Sequence, residues 1–178
     1  MFLLGFTARL LSPSTKTPFQ SLLITLIVLV VQSGVSAQSL KREFDTGENV
    51  SVLIKSTGRV NVIASDDHQE KVTLEATSTG APVDYSDVQA MAKSNGVEIQ
   101  VRDRGVQQRI DLRVWVPSRS RVKVDGEAGA VDVIGNFESA EVSTNTGTIH
   151  ADVPLDTVKF NFLWTASHPR YLSDVELP

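Results

Sequence analysis

The chain contains no cysteine. Disulfide bridges, thiol catalysis and zinc–thiolate centres are therefore excluded, as is a bacterial lipid anchor carried on an N-terminal cysteine. An excess of positive charge is also missing. Residues 1–37 contain Arg9 and Lys16 and no acid, so 15 of the 17 basic residues face all 21 acidic ones in the remainder, a formal charge of −6. Nucleic-acid binding and attachment to an anionic membrane face both rest on clustered Lys and Arg, so neither is expected. Catalytic and metal signatures are absent too. No Gly-rich loop runs into Lys-Ser/Thr, and no Gly-Gly-x-Gly-x-Asp run of a calcium-binding nonapeptide occurs. The expectation is no enzyme activity, no catalytic residue, no cofactor and no metal.

Two apolar stretches are present, Phe2–Leu11 and the uncharged run Ser21–Val31, and the latter is short. Eleven residues do not cross ~30 Å of hydrocarbon as a helix, which needs about 20. Gln32, Ser33, Gly34 and Val35-Ser36-Ala37 follow, and small residues at 34, 36 and 37 suit a signal peptidase. Residues 1–37 thus read as a signal peptide cleaved after Ala37, with no stable membrane span afterwards. The alternative, an uncleaved anchor, is opposed by Pro13, Lys16 and Pro18 upstream of the run. Residues 38–178 then reside outside the cytoplasm: periplasm, outer cell surface or extracellular space.

From Gln38 onward apolar residues alternate, the mark of half-buried strands. Val50, Val52 and Ile54 form one set, Val60 and Val62 a second, and Val72, Leu74 and Ala76 a third. Val97, Ile99 and Val101, then Ile110, Leu112, Val114 and Val116, continue the series. One short helix is predicted between Ser86 and Gly96: Ser86 as N-cap, Gln89 three residues on, Val88, Met91 and Ala92 as apolar stripe, Gly96 as terminator.

Apolar pairs then recur every nine residues, at 122/124, 131/133, 140/142, 149/151 and 158/160, with turn formers such as Gly126, Gly129, Gly135 and Gly147 between them. Two arrangements fit: stacked rungs of a β-solenoid, or an antiparallel β-meander or sandwich. The residues inside each pair favour the solenoid. In a meander Asp132 would lie beside Glu141, and like charges directly opposed are unfavourable. With about 18 residues per coil, Lys123, Glu141 and Lys159 form one ladder of alternating sign, and Asp132 meets His150 in the other. Gly129 and Gly147 then occupy equivalent corners. The predicted fold is all-β, a solenoid or β-helix-like stack of short strands with one short helix.

Leu112-Arg-Val-Trp-Val-Pro117, Val122-Lys-Val-Asp-Gly126, Gly129-Ala-Val-Asp-Val-Ile-Gly135 and Val142-Ser-Thr-Asn-Thr-Gly147 carry a resemblance. Together with the earlier phrase Gly58-Arg-Val-Asn-Val62, they resemble the bacterial "putative adhesin" family of exported β-strand-repeat domains, over about residues 44–160. The resemblance implies a right-handed β-helix-like stack at the cell envelope, and it brings no catalytic residues. The tail Phe160-Asn-Phe-Leu-Trp164 with Pro169-Arg-Tyr-Leu-Ser-Asp174 is similar to segments of bacterial von Willebrand factor A-related proteins, in which a further domain follows. The metal-site phrase of that domain, Asp-x-Ser-x-Ser, is absent.

The organisation expected is a signal peptide (1–37), a β-repeat adhesin-like domain (38–160) and an aromatic tail (161–178). The tail is expected to cap the repeat or begin a further segment, as in a longer chain whose next domain would complete the stack. Phe160, Phe162, Trp164 and Tyr171 are the candidate binding surface, able to stack on a sugar or another chain. Asp66, Asp67, His68 and Glu70 read as a solvated turn, and His150 with Asp152 as a surface polar pair. The function expected is non-enzymatic adhesion or scaffolding at the envelope, with an unidentified protein or glycan as partner. An envelope-sensing module and a carbohydrate-active enzyme on a β-helix are the alternatives.

Overall fold

The computed structural model describes residues 39–154, 161, 172 and 173. Eleven strands and two 3₁₀ turns (Asp66–His68 and Val106–Gln108) are present, with no α-helix among the described residues. The strands are β1 (Leu40–Asp45), β2 (Ser51–Ser56), β3 (Val60–Ser65), β4 (Lys71–Ser78), β5 (Val88–Lys93) and β6 (Gly96–Val101). They continue with β7 (Ile110–Pro117), β8 (Arg121–Gly126), β9 (Val131–Ile134), β10 (Ser139–Thr144) and β11 (Ile149–Asp152).

They form two mixed sheets, neither closed on itself. Sheet A has the order β1-β4-β7-β3-β9-β11, and sheet B the order β10-β8-β2-β6-β5. Inward Val, Ile and Leu from both sheets share one core, with Ile54, Leu74, Ile99, Val62, Val114 and Val124 fully buried. β-branched residues suit the pleated surface, and each such side chain contributes about 1.5–3 kcal/mol on burial.

Four times the chain passes from a strand of sheet B to the next strand in sheet A: β2 to β3, β6 to β7, β8 to β9 and β10 to β11. These passages lie side by side in the order β6/β7, β2/β3, β8/β9, β10/β11, and all their strand pairings are parallel. Strands eighteen residues apart are therefore neighbours. Val131 pairs with Ile149 and Asp132 with His150, while Lys123 pairs with Glu141. The meander register, with 131–133 against 140–142, does not occur, because those segments belong to different sheets.

The parallel stack is not the whole molecule. β1, β4 and β5 pair antiparallel, and β7 enters sheet A between β4 and β3. The predicted helix is corrected outright, since its residues form β5. Val88 and Ala90 are buried while Gln89 and Met91 face out, a period of two that the wider capping pattern obscured. Lys93 pairs with Gly96 across the two-residue turn Ser94-Asn95, so Gly96 begins β6 instead of ending a helix. A Cβ on Gly96 would sit 1.9 Å from the Ser51 carbonyl oxygen, which is what requires glycine there.

β1 carries a weaker signal. Its inward positions are Leu40, Arg42 and Phe44, paired opposite Ala76, Leu74 and Val72. The Arg42 guanidinium lies 4.9 Å from the centre of the Phe44 ring and 5.9 Å from that of Tyr85, so a cation closes this margin of the core. Close by, buried Asp87 holds Arg104, whose Nη1 also donates to the Pro82 carbonyl at 3.0 Å. That pair ties the loop before β5 to the loop after β6.

Candidate binding surface

In parallel sheets both faces are ordinarily covered. Here the outward face of sheet A carries charge. One outward residue from each of its six strands falls on a single transverse row: Lys41, Glu75, Arg113, Asn61, Asp132 and His150. At about 4.8 Å per strand the row runs roughly 24 Å.

Arg59, two residues before Asn61 on the same face, donates from Nε and Nη2 to Asp132 Oδ2 at 2.9 and 2.8 Å. Asp132, so paired, is only 9% exposed. His150 Nδ1 lies 3.7 Å from Asp132 Oδ1. The Arg59 backbone N–H donates to Asp111 Oδ1 at 2.9 Å, and Arg109 Nε donates to the same oxygen at 2.8 Å.

Between these groups is a hollow of about 340 Å³ lined by Arg59, Asn61, Glu75, Thr77, Asp111 and Arg113. It exists because Asn61 and Thr77 are short and their neighbours long. Alongside the row runs a second one, Thr73, Trp115, Ile63 and Ile134, of which the last three are half-buried. The Trp115 ring lies 6.0 Å from that of His68.

The outer face of sheet B is a simpler surface. Lys123 Nζ sits 2.6 Å from Glu141, Arg121 3.2 Å from Glu138, and Lys93 3.3 Å from Glu98. The Glu141 carboxylate, through its hydrogen bond and its charge, raises the Lys123 ammonium above the usual lysine value, with Asp125 adding to the effect. A groove of about 490 Å³ crosses the strands beside Ser51 and Gly96, two small residues among long ones.

The candidate surface Phe160, Phe162, Trp164 and Tyr171 lies outside the described residues, as does Lys159. His150 and Asp152 are both exposed on β11, where His150 Nδ1 turns to Asp132 on the neighbouring strand and Asp152 lies opposite Ile134. Asp66, Asp67 and His68 form a 3₁₀ turn capped by Ser65, whose Oγ accepts from the Asp67 N–H at 3.2 Å. No group of three or more metal-ligating side chains converges among the described residues.

Glu75 and Arg113 escape a reading based on nine-residue spacing, because their neighbours are set by the insertion of β7. Asn61 was accessible from a phrase. Gly58-Arg-Val-Asn-Val62, Gly129-Ala-Val-Asp-Val133 and Gly147-Thr-Ile-His-Ala151 superpose rung on rung, placing Asn61, Asp132 and His150 in one row.

No protein-family model matches this chain, and no curated protein matches it. Solved structures do. A "putative cell adhesion protein" from Clostridium sporogenes aligns with a TM-score of 0.42 at 10% identity, over 61% of this chain and 58% of its own. A "putative adhesin" from Parabacteroides distasonis aligns at 0.36 and 12% identity, over 66% of this chain and 57% of its own. One from Bacteroides fragilis aligns at 0.33 and 8% identity, over 67% of this chain and 98% of its own. This chain thus spans little more than half the length of the Clostridium and Parabacteroides structures and nearly all of the Bacteroides one.

Proposed function

We propose that this chain is an exported, non-enzymatic β-repeat domain of a bacterial cell envelope, serving adhesion or scaffolding. In this reading the four passages from sheet B to sheet A are coils of a two-sided solenoid. The observation that carries it is the outward face of sheet A, where one polar side chain from each of its six strands is set in a single row. Such a face is rigid, wet and regularly spaced, which suits extended contact with a large partner better than enclosure of a small substrate. The sequence resemblance to exported adhesin-like repeats and the peptidase-compatible segment before Gln38 point the same way.

Catalysis by acyl transfer or glycoside cleavage needs convergent acid, base and nucleophile around a reacting atom. Glu75 and Asp111 face a shallow hollow shared with two arginines, and arginine does not serve as a proton acceptor. Fractionation of cells producing the chain with a C-terminal epitope tests the reading. The tagged protein is expected in the periplasmic, envelope or extracellular fraction, shorter by the leader. Recovery of the full-length protein from the cytoplasm alone would contradict it.

A further inference from the structure

Glu75 and Arg113 are directly opposed on adjacent antiparallel strands, the geometry in which opposite charges usually meet. They do not meet. The Arg113 guanidinium carbon lies 5.7 Å from the centre of the Trp115 ring. Among the described residues, the ion pairs of this face are made by Lys41, Glu43, Arg59, Arg109, Asp111, Asp132 and His150, and by neither Glu75 nor Arg113. The hollow therefore offers a carboxylate acceptor and a guanidinium donor that do not satisfy each other. The Thr77 hydroxyl lines it too, as does Asn61, whose buried Oδ1 has no hydrogen-bond partner.

Charge decides what such a set accepts. Arg59 and Arg113 balance Glu75 and Asp111, so an anion meets two carboxylates and a cation two guanidinium groups. A neutral molecule with adjacent hydroxyls meets neither penalty, since each hydroxyl both donates and accepts. The volume, about 340 Å³, is at the small end of ligand sites, and Trp115, outside the lining, lies two residues along β7 from Arg113 on the same face.

We infer that the hollow bounded by β4, β7 and β3 is a binding site for a neutral saccharide. Glu75 accepts from one hydroxyl, Arg113 donates to its neighbour, and Trp115 supplies an apolar edge. The inference deepens the proposed function, resting on it for where such a sugar would be met.

The test is titration of the full chain with maltotetraose, cellotetraose and chitotetraose, with tetragalacturonate as the acidic control, followed by amide NMR shifts. At least one neutral sugar is expected to saturate, with shifts centred on Glu75, Arg113 and Trp115. Its affinity should hold between about 50 and about 500 mM salt, where an ionic contact would be screened. Glu75→Ala and Arg113→Gln should each weaken it at least tenfold, and Lys123→Ala on the other sheet should not; if one of the first two fails to fold, the other decides. The site is overturned if no neutral sugar saturates, if only the acidic sugar binds, or if the shifts centre elsewhere. A protein found in the envelope that fails this titration would lose the site and keep its proposed function.

Discussion

The Cβ that Gly147 lacks would lie 2.0 Å from the carbonyl oxygen of Gly129. The relation repeats down the corner. A Cβ on Gly129 would lie 2.0 Å from the Gly58 carbonyl oxygen, and one on Gly58 would lie 1.8 Å from that of Ile110. Beside this column the backbone is pinned rung to rung, from the Val131 N–H to the Thr148 carbonyl at 2.8 Å and from the Val60 N–H to the Ala130 carbonyl at 2.9 Å. Three glycines thus mark where successive passages cross between sheets with no room for a side chain.

Gly129→Ala is accordingly expected to destabilise the protein strongly. Overpacking costs about 1–3 kcal/mol where side chains can yield, and a carbonyl fixed in a ladder yields less, so the upper end of that range or beyond is expected. Gly47→Ala, with nothing within 4 Å of its Cβ, is the control, expected within about 0.5 kcal/mol of the parent. Urea unfolding of both variants checks the contrast. Equal stability would remove the glycine column from the account.

Asp87 gives the fold an acid-sensitive point. Burial alone would raise its carboxyl, but the Asp84 N–H at 2.8 Å and the Arg104 guanidinium outweigh burial, with Arg102 adding to them, and hold it below the ordinary aspartate value. A carboxylate lowered on folding stabilises fully above its unfolded value and loses that contribution as pH falls through the folded one. Asp87→Asn should lower stability at neutral pH by about 3 kcal/mol, since it leaves Arg104 largely buried beside a neutral group. The loss should shrink as the parent is acidified below the ordinary aspartate range. A deficit unchanged between neutral and strongly acidic pH would show that the charge of Asp87 is immaterial.

The proposed export would leave a mark on the chain itself. Ser36 and Ala37 with the apolar run 21–31 predict that the mature protein begins at Gln38. Mass spectrometry of the exported form reads this directly. A start before Ser33, or an intact chain held in the membrane, would contradict it.

Much of this architecture is legible in the residues, and the rest is hidden for identifiable reasons. Alternating Val and Ile announce the core strands, and the eighteen-residue spacing of Gly129 with Gly147 and of Asp132 with His150 announces their parallel register. The segment 86–96 misleads because Ser86, Gln89 and Gly96 imitate helix caps, whereas the hairpin turn Ser94-Asn95 commits Val88 and Ala90 to a strand. β1 hides because Arg42 occupies an inward position. The hollow hides most completely: it depends on β7 entering sheet A between β4 and β3, which places Glu75 opposite Arg113 and Arg113 opposite Asn61 across separations with no period. Local pattern reports which residues face outward, and long-range topology alone reports which of them share a row.

The row on sheet A stands or falls with that parallel register, and cross-strand nuclear Overhauser effects measure it most directly. Backbone contacts from Val131, Asp132 and Val133 are predicted to reach Ile149, His150 and Ala151 on one side and Val60, Asn61 and Val62 on the other. Contacts from the same three residues to Ala140, Glu141 and Val142 would contradict the account.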